Sequence, residues 1–234
     1  MTTRSLPGVH VTRRSVLELP ALAALLPVFR SASRSREGGA LTFAEFTERS
    51  AAIATQDDAG FPEARLLRLA ELAARLDPTG VPRPELGAFG GYEPQICFGP
   101  IHRSPGLFLI EWHLEPGAVL PPHNHTPVHV LSLCLEGECW VEHFEIVGDA
   151  PAPGAEGAFR MRTTHAQLLR PGRASSLTPE RDNIHTFRAG PQGALGIDVN
   201  VSIPGKGDWS MIEHRPEDVD GYQRVHRARW IGKP

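Results

Sequence analysis

Gly117-Ala118-Val119-Leu120-Pro121-Pro122-His123-Asn124-His125 combines a glycine turn, an extended apolar run and two closely spaced histidines. Two histidines at i and i+2 on an extended segment carry both rings on one face. Facing into a small barrel, such a pair is a two-point clamp for a divalent ion, whose bonds to imidazole nitrogen are about 2.0–2.2 Å long. Alone, a His-x-His pair in a chain of 11 histidines is more often a surface or core pair. Its context changes that. His185 follows the turn Arg181-Asp182-Asn183 and opens the block Ile184-His185-Thr186-Phe187, so it can arrive on a neighbouring strand as the third corner of a facial triad.

The segments around this stretch read as strands. From Gln95 onward, short apolar runs alternate with Gly and Pro at the spacing of a sandwich or barrel. Strands are expected at Leu107–Leu114, Val128–Cys134, Cys139–Val147, Phe159–Leu169, Ile184–Ala189 and Ala194–Ile203. Turns are expected at Glu115-Pro116-Gly117 and Glu136-Gly137-Glu138, and a surface loop from Gly148 to Gly157. Upstream, Thr42 and Glu45 form a capping box ahead of a short helical face of Phe43, Phe46, Ala51 and Ile53. A second helix is expected from about Pro62 to Leu76, with Leu66, Leu69, Ala70, Leu72, Ala73 and Leu76 at helical spacing, stopped by Asp77-Pro78-Thr79-Gly80. Both are expected to pack on the barrel. The tail from Lys206 carries Trp209, Tyr222 and Trp230, enough apolar area to dock on the body, though its path is not readable from sequence.

Composition agrees with an all-β core. The chain has 234 residues, 22 of them Pro and 23 Gly, and 22% are charged, which suits many short strands better than a helical bundle. That length accommodates one domain with extensions. Lys plus Arg number 24 against 27 Asp plus Glu, so a formal charge of -3 gives no basis for binding nucleic acid. The three cysteines, Cys97, Cys134 and Cys139, match no zinc-ligand spacing. Cys134 and Cys139 flank the expected turn, where a disulfide is geometrically open to them in an oxidising compartment.

The first residues read as an address. Thr12-Arg13-Arg14-Ser15-Val16-Leu17 precedes an apolar run from Leu19 to Phe29, then Arg30 and the small residues Ser31-Ala32-Ser33. Basic, apolar and small segments in that order resemble a twin-arginine export signal, with Arg13 and Arg14 read by the translocase and cleavage near Ser33. The alternative is an N-terminal amphipathic helix. The apolar run is too short for a stable membrane span, which needs about twenty residues. The expected organisation is therefore an export signal over 1–33, a linker and helices over 34–94, a barrel over 95–205 and a C-terminal extension over 206–234.

The two histidine blocks, with the Pro116-Gly117 turn before one and an apolar strand after it, resemble the two motifs of the cupins, whose fold is a double-stranded β-helix or jelly-roll barrel. Where the commonest cupin pattern has a glutamate ligand, this chain has Thr126-Pro127-Val128-His129. Leu131-Ser132-Leu133-Cys134-Leu135-Glu136-Gly137, Asp182 to Ala189, and Leu195-Gly196-Ile197-Asp198-Val199 further resemble the cysteamine dioxygenase and plant cysteine oxidase family of thiol dioxygenases. That resemblance implies a ferrous ion on His123, His125 and His185, with zinc, manganese or nickel as alternatives. It also implies oxidation of a small thiol, or an N-terminal cysteine, to a sulfinic acid by dioxygen, with Asp198 matching the family's active-site aspartate. Asp198 reads equally as a buried strand-end acid. His129 is open to three roles, a fourth ligand, a side chain that supports a ligand from behind, or a pocket histidine, with the last two favoured, and Arg103 is expected as a partner for a substrate carboxylate. The family's Pro-Pro-Tyr after the aspartate is here Ile203-Pro204-Gly205, which leaves the substrate open. The rival readings are a metal-dependent cupin oxygenase or isomerase acting on a non-thiol compound, and a noncatalytic binding module.

Overall fold

The computed structural model describes residues 39–56, 62–88, 95–125, 127–181, 183–205, 209–218 and 224–232. The chain divides into two units, Met1–Ser35 and Arg36–Pro234. The first, with Arg13 and Arg14, lies outside the described residues, as do Asp182 and Tyr222. Among the described residues no helix is long and apolar enough to cross a membrane.

Helix α1, Phe43–Ala54, begins where the capping box requires: the Thr42 Oγ accepts from the Glu45 N–H at 3.3 Å, and the Glu45 carboxylate accepts from the Thr42 N–H at 2.9 Å. Helix α2, Pro62–Ala73, starts on a proline, whose missing N–H costs nothing in the first turn. It stops short of Leu76 because the backbone there bonds to Leu41 instead, through Leu41 N–H to Arg75 O at 2.8 Å and Asp77 N–H to Leu41 O at 2.9 Å.

The strands are β1 (Gly87–Ala88), β2 (Ile96–Ser104), β3 (Leu107–Leu114), β4 (Val119–Asn124), β5 (Val128–Val147), β6 (Ala158–Leu169), β7 (Ala174–Leu177), β8 (Ile184–Ser202), β9 (Met211–Asp218) and β10 (Val225–Gly232). β5 and β8 organise the rest. They pair antiparallel along their whole length, from Val128 opposite Ser202 to Phe144 opposite Ile184. One half of the pair lies in a sheet ordered β2-β3-β8-β5-β7, and the other half is flanked by β4 and β6. This is the expected all-β jelly roll with short N-terminal helices.

Two expectations are corrected. Glu136-Gly137-Glu138 is not a chain-reversing turn but a bulged corner inside β5, with register shifts between Cys134 and Glu136 and between Gly137 and Cys139. Gly137, at φ 68°, faces Gly193, at φ 77°, and the missing side chains let the two backbones cross while the ladder continues. The tail is also more than a docked extension. The pairings β8–β4, β4–β9, β9–β10, β10–β6, β6–β5 and β5–β8 close a ring, so the C-terminal hairpin removes two sheet edges.

Side-chain alternation sorts the interior into three apolar cores. Leu107, Leu109, Leu131, Leu133, Ile197, Val199 and Val201 pack against Phe46, Leu66 and Leu69 of the helices. Trp112, Leu120, Cys134, Cys139, Val141 and Phe187 belong to a second core, on the other side of the β3-β8-β5 sheet. Phe144, Met161, Ile184, Ile212 and Trp230 form the third, which includes the closing hairpin. Cys134 and Cys139 are buried without a disulfide, and burial pushes the Cys134 thiol up to about 12.

A Cβ on Gly137 would collide with the carbonyl oxygen of Gly193. Gly137→Ala is expected to lower the unfolding free energy by about 2–4 kcal/mol, read as a reduced urea midpoint at unchanged m-value.

Candidate metal centre

β4 brings His123 to the centre through a deliberate break in register. Leu120 opposes Phe187 and His123 opposes His185, so two residues of β4, Pro121 and Pro122, stand against one of β8, Thr186. Proline has no N–H to donate, so the bulge forgoes no ladder bond at those positions. Without the bulge, strict alternation from the buried Leu120 would turn His123, three residues on, to the opposite face. Asn124, between the histidines, accepts from the Ser210 N–H at 2.6 Å. The backbone N–H of His125 is held by Asn183, through its side-chain oxygen and its carbonyl, both at 3.1 Å. Asn183 thus ties the two distant histidine blocks together.

The three rings converge. His185 Nε2 lies 3.1 Å from His123 Nε2 and 2.9 Å from His125 Nε2, with ring centroids 4.7–4.8 Å apart. At a metal–nitrogen bond of about 2.1 Å, ligands at right angles stand ~3.0 Å apart and tetrahedral ligands ~3.4 Å. The two separations to His185 match ligands at about right angles on one ion, and the three ligand atoms all lie within 4.8 Å of one another. His123 Nδ1 donates to the Pro121 carbonyl at 2.9 Å, which leaves the Nε2 lone pair facing the other two rings. Burial pushes His123 down to about 4 and holds His125 and His185 well below the usual imidazole range. All three are neutral near pH 7, and a cation relieves the repulsion between lone pairs aimed at one point. The group fits a divalent ion, and it contains no carboxylate.

The remaining candidates lie elsewhere. Asp198 accepts from Trp112 Nε1 at 3.1 Å and bonds Ser132. Its route to the triad runs through aromatic rings: Trp112 stacks on Phe187 at 5.4 Å, and Phe187 lies 4.5 Å from the His185 ring. His129 shares the helix-facing side of β5 with Leu131 and Leu133, its Nε2 4.0 Å from Glu180, so it is neither a fourth ligand nor a wall of the triad. Arg103 is exposed on β2, over the Phe108 ring at 5.9 Å.

Sequence reasoning missed two histidines. His143 on β5 directly opposes His185 on β8 and His165 on β6, which extends the row His123–His185–His143–His165 across four strands. His143 is buried, its ring 6.1 Å from His185 and 5.9 Å from His165. The period-2 run Cys139, Val141, His143 carried the signal, because it puts His143 on the same face as two core residues.

The side chain of Asp198 goes from 3.8 to about 6 because burial disfavours its charge more than Ser132 and Trp112 favour it. A raised carboxyl stabilises the fold below its unfolded value and loses that contribution as pH rises through about 6. The stability of Asp198→Asn relative to wild type is therefore expected to rise by about 2 kcal/mol between pH 4 and pH 7, measured by urea denaturation.

Residues 88–202, just under half of the chain, match the PCO_ADO family model. Plant cysteine oxidase 1 of Arabidopsis thaliana is 29% identical over 108 residues, 46% of this chain and 37% of that protein. Plant cysteine oxidase 2 of the same plant is 26% identical over 100 residues, 42% and 36% respectively. The chain therefore spans little more than a third of the length of these relatives. Among solved structures, KdgF from Halomonas sp. aligns at TM-score 0.35 and 19% identity, covering 50% of this chain and 90% of that one. A conserved protein with a double-stranded β-helix domain from Klebsiella pneumoniae aligns at 0.37 and 14%, covering 58% and 88%. At these scores the likenesses carry no argument, and the fold rests on the strand pairings above. His123, His125 and His185 all fall inside the span over which this chain is similar to the PCO_ADO family.

Proposed function

We propose that this chain is a non-haem iron thiol dioxygenase, which converts a small thiol or an N-terminal cysteine to the sulfinic acid: R–SH + O2 gives R–SO2H. The observation that carries this reading is the convergence of three neutral imidazole nitrogens at 2.9 and 3.1 Å within the span similar to the PCO_ADO family. When bound, ferrous iron supplies a Lewis-acidic centre at which a thiol ionises and dioxygen is reduced.

The chain's own residues prepare that chemistry. Three neutral ligands leave the positive charge of the ion uncompensated, which favours the anionic thiolate over the thiol. The Pro121 carbonyl fixes the tautomer of His123, and Asn183 fixes the backbone of His125. Phe187 and Trp112 make a dry wall beside His185, with Asp198 as a positioning residue for the indole. His125 is partly exposed, which leaves the centre reachable from solvent.

Purified protein is expected to hold about one iron per chain, to take up dioxygen with cysteine, cysteamine or 3-mercaptopropionate, and to add two oxygen atoms to the thiol by mass. His123→Ala and His185→Ala should both lose the metal. Full metal content in both variants would refute the ligand set. Bound zinc, manganese or nickel with no oxygen uptake would point to a non-thiol cupin enzyme, and a metal-free protein to a binding module.

We further propose export through the twin-arginine translocase, supported by the basic, apolar and small order of residues 12–33. Replacing Arg13 and Arg14 together by lysine is expected to retain the protein inside the cell, as followed by fractionation of a bacterial host. Unchanged export would dismiss this address.

A further inference from the structure

Where β5, β6, β10 and β9 run side by side, their register sets arginines in successive rows, and two of these rows are neutralised. Arg162 on β6 pairs with Glu145 directly opposite on β5, Nε to Oε1 at 2.9 Å, and Arg229 on β10 pairs with Glu213 directly opposite on β9. The row between them has no such partner. Arg160 on β6 stands opposite Val147 on one side and Arg227 of β10 on the other, and Arg215 of β9 takes the next register position beyond Arg227. Among the described residues, the side chains of Arg160 and Arg227 make no ion pair and no hydrogen bond. Like charges directly opposite each other destabilise a strand pair, and an anion set between them turns that repulsion into attraction. The two arginines border a hollow of about 370 Å³, enclosed by the corner at 147–149 and strands β6 and β10. Its wall is held in place: the Trp230 indole on β10 donates to the Pro151 carbonyl at 2.9 Å, which ties the loop after β5 to the hairpin. Asp149 is the acid in the lining, and it forms no ion pair with either arginine.

We propose that Arg160 and Arg227 form a binding site for the phosphoryl group of a small phosphomonoester, in a hollow that contains no residue of the histidine triad. A guanidinium is a planar fork that grips two acceptor oxygens at once. Directly opposed residues of an antiparallel pair have Cα atoms about 4.5–5.5 Å apart, so both forks reach one tetrahedral group. A carboxylate has two oxygens and fills one fork. A phosphoryl group has three oxygens besides its ester link and engages both. Small-molecule sites occupy roughly 300–1,000 Å³, so this hollow stands near the lower end and takes a compact organic part. The formal charge of the chain is -3, so attraction of anions here is local to the arginine row and no property of the surface as a whole.

The test is isothermal titration calorimetry of the purified full chain, in buffer free of phosphate and sulfate, with phenyl phosphate and benzoate. Phenyl phosphate is expected to bind with a Kd below about 1 mM, at least about tenfold tighter than benzoate. Arg160→Gln and Arg227→Gln should each weaken it at least about tenfold, and Arg227→Lys, which keeps the charge without the fork, should recover only part. Arg162→Gln, whose arginine already has Glu145, should leave the affinity unchanged. A merely structural role is separated by melting temperature: without ligand the two glutamine variants should melt no lower than wild type, and phenyl phosphate should raise the melting temperature of the wild type alone. Equal affinities for phenyl phosphate and benzoate, undiminished binding in both glutamine variants, or an equal loss in Arg162→Gln would overturn the proposal. Binding to vesicles that contain phosphatidic acid, with none to phenyl phosphate, would overturn it too, in favour of a membrane surface. Oxygen uptake with thiols is read separately and bears on the dioxygenase reading alone.

Discussion

The centre of this protein depends on β8 keeping register with two neighbours at once. His185 opposes His123 on β4 and His143 on β5, so one strand fixes the ligand set on one side and the neighbouring imidazole on the other. Side chains alternate with a period of two, and a slip by one residue would send His185 to the far face and bring Ile184 inward. Two devices hold the register. The Pro121-Pro122 bulge re-phases β4 after Leu120, and the Gly137–Gly193 crossing lets β5 and β8 stay paired around the corner.

Burial supplies the other half of the design. Taking three imidazoles out of water removes their tendency to protonate, which keeps lone pairs available for an ion at neutral pH. It also makes every unsatisfied polar atom expensive, so the surroundings are tied down by hydrogen bonds. Pro121 takes the Nδ1 proton of His123, Asn183 takes the amide proton of His125, and Ser175 bonds His143. These partners come from residues near in sequence, from the other histidine block and from the opposite sheet respectively, so the site is stapled across the sandwich.

Much of this was legible before any coordinates. The i, i+2 spacing of His123 and His125 and the turn before His185 announced a triad because the rules behind them are local: period-two alternation and turn chemistry. The capping box at Thr42 was equally local. What stayed hidden depends on which strands become neighbours. Nothing in the residues around His143 says that β5 will lie beside β8 with that residue opposite His185. Likewise His129 follows the His-x-His motif closely in sequence, yet it shares the parity of Leu131 and Leu133 and is buried with them on the helix-facing side, away from the triad. Arg103 shared the same limit, since its strand could be read but the face it presents could not. The corner at Gly137 looked like a reversal because glycine at positive φ serves both a turn and a crossing, and only the presence of Gly193 opposite decides between them.

The closing hairpin has a consequence for where this protein begins and ends as a physical object. The match to the PCO_ADO family model ends at residue 202, whereas β4 has β9 as its outer neighbour, with His123 opposite Met211 and Asn124 clasping Ser210. An investigator who trims the gene to its homologous span would cut away the strand that shores up a ligand. The unit that inheritance marks out and the unit that must fold together have different borders, and the second is the larger.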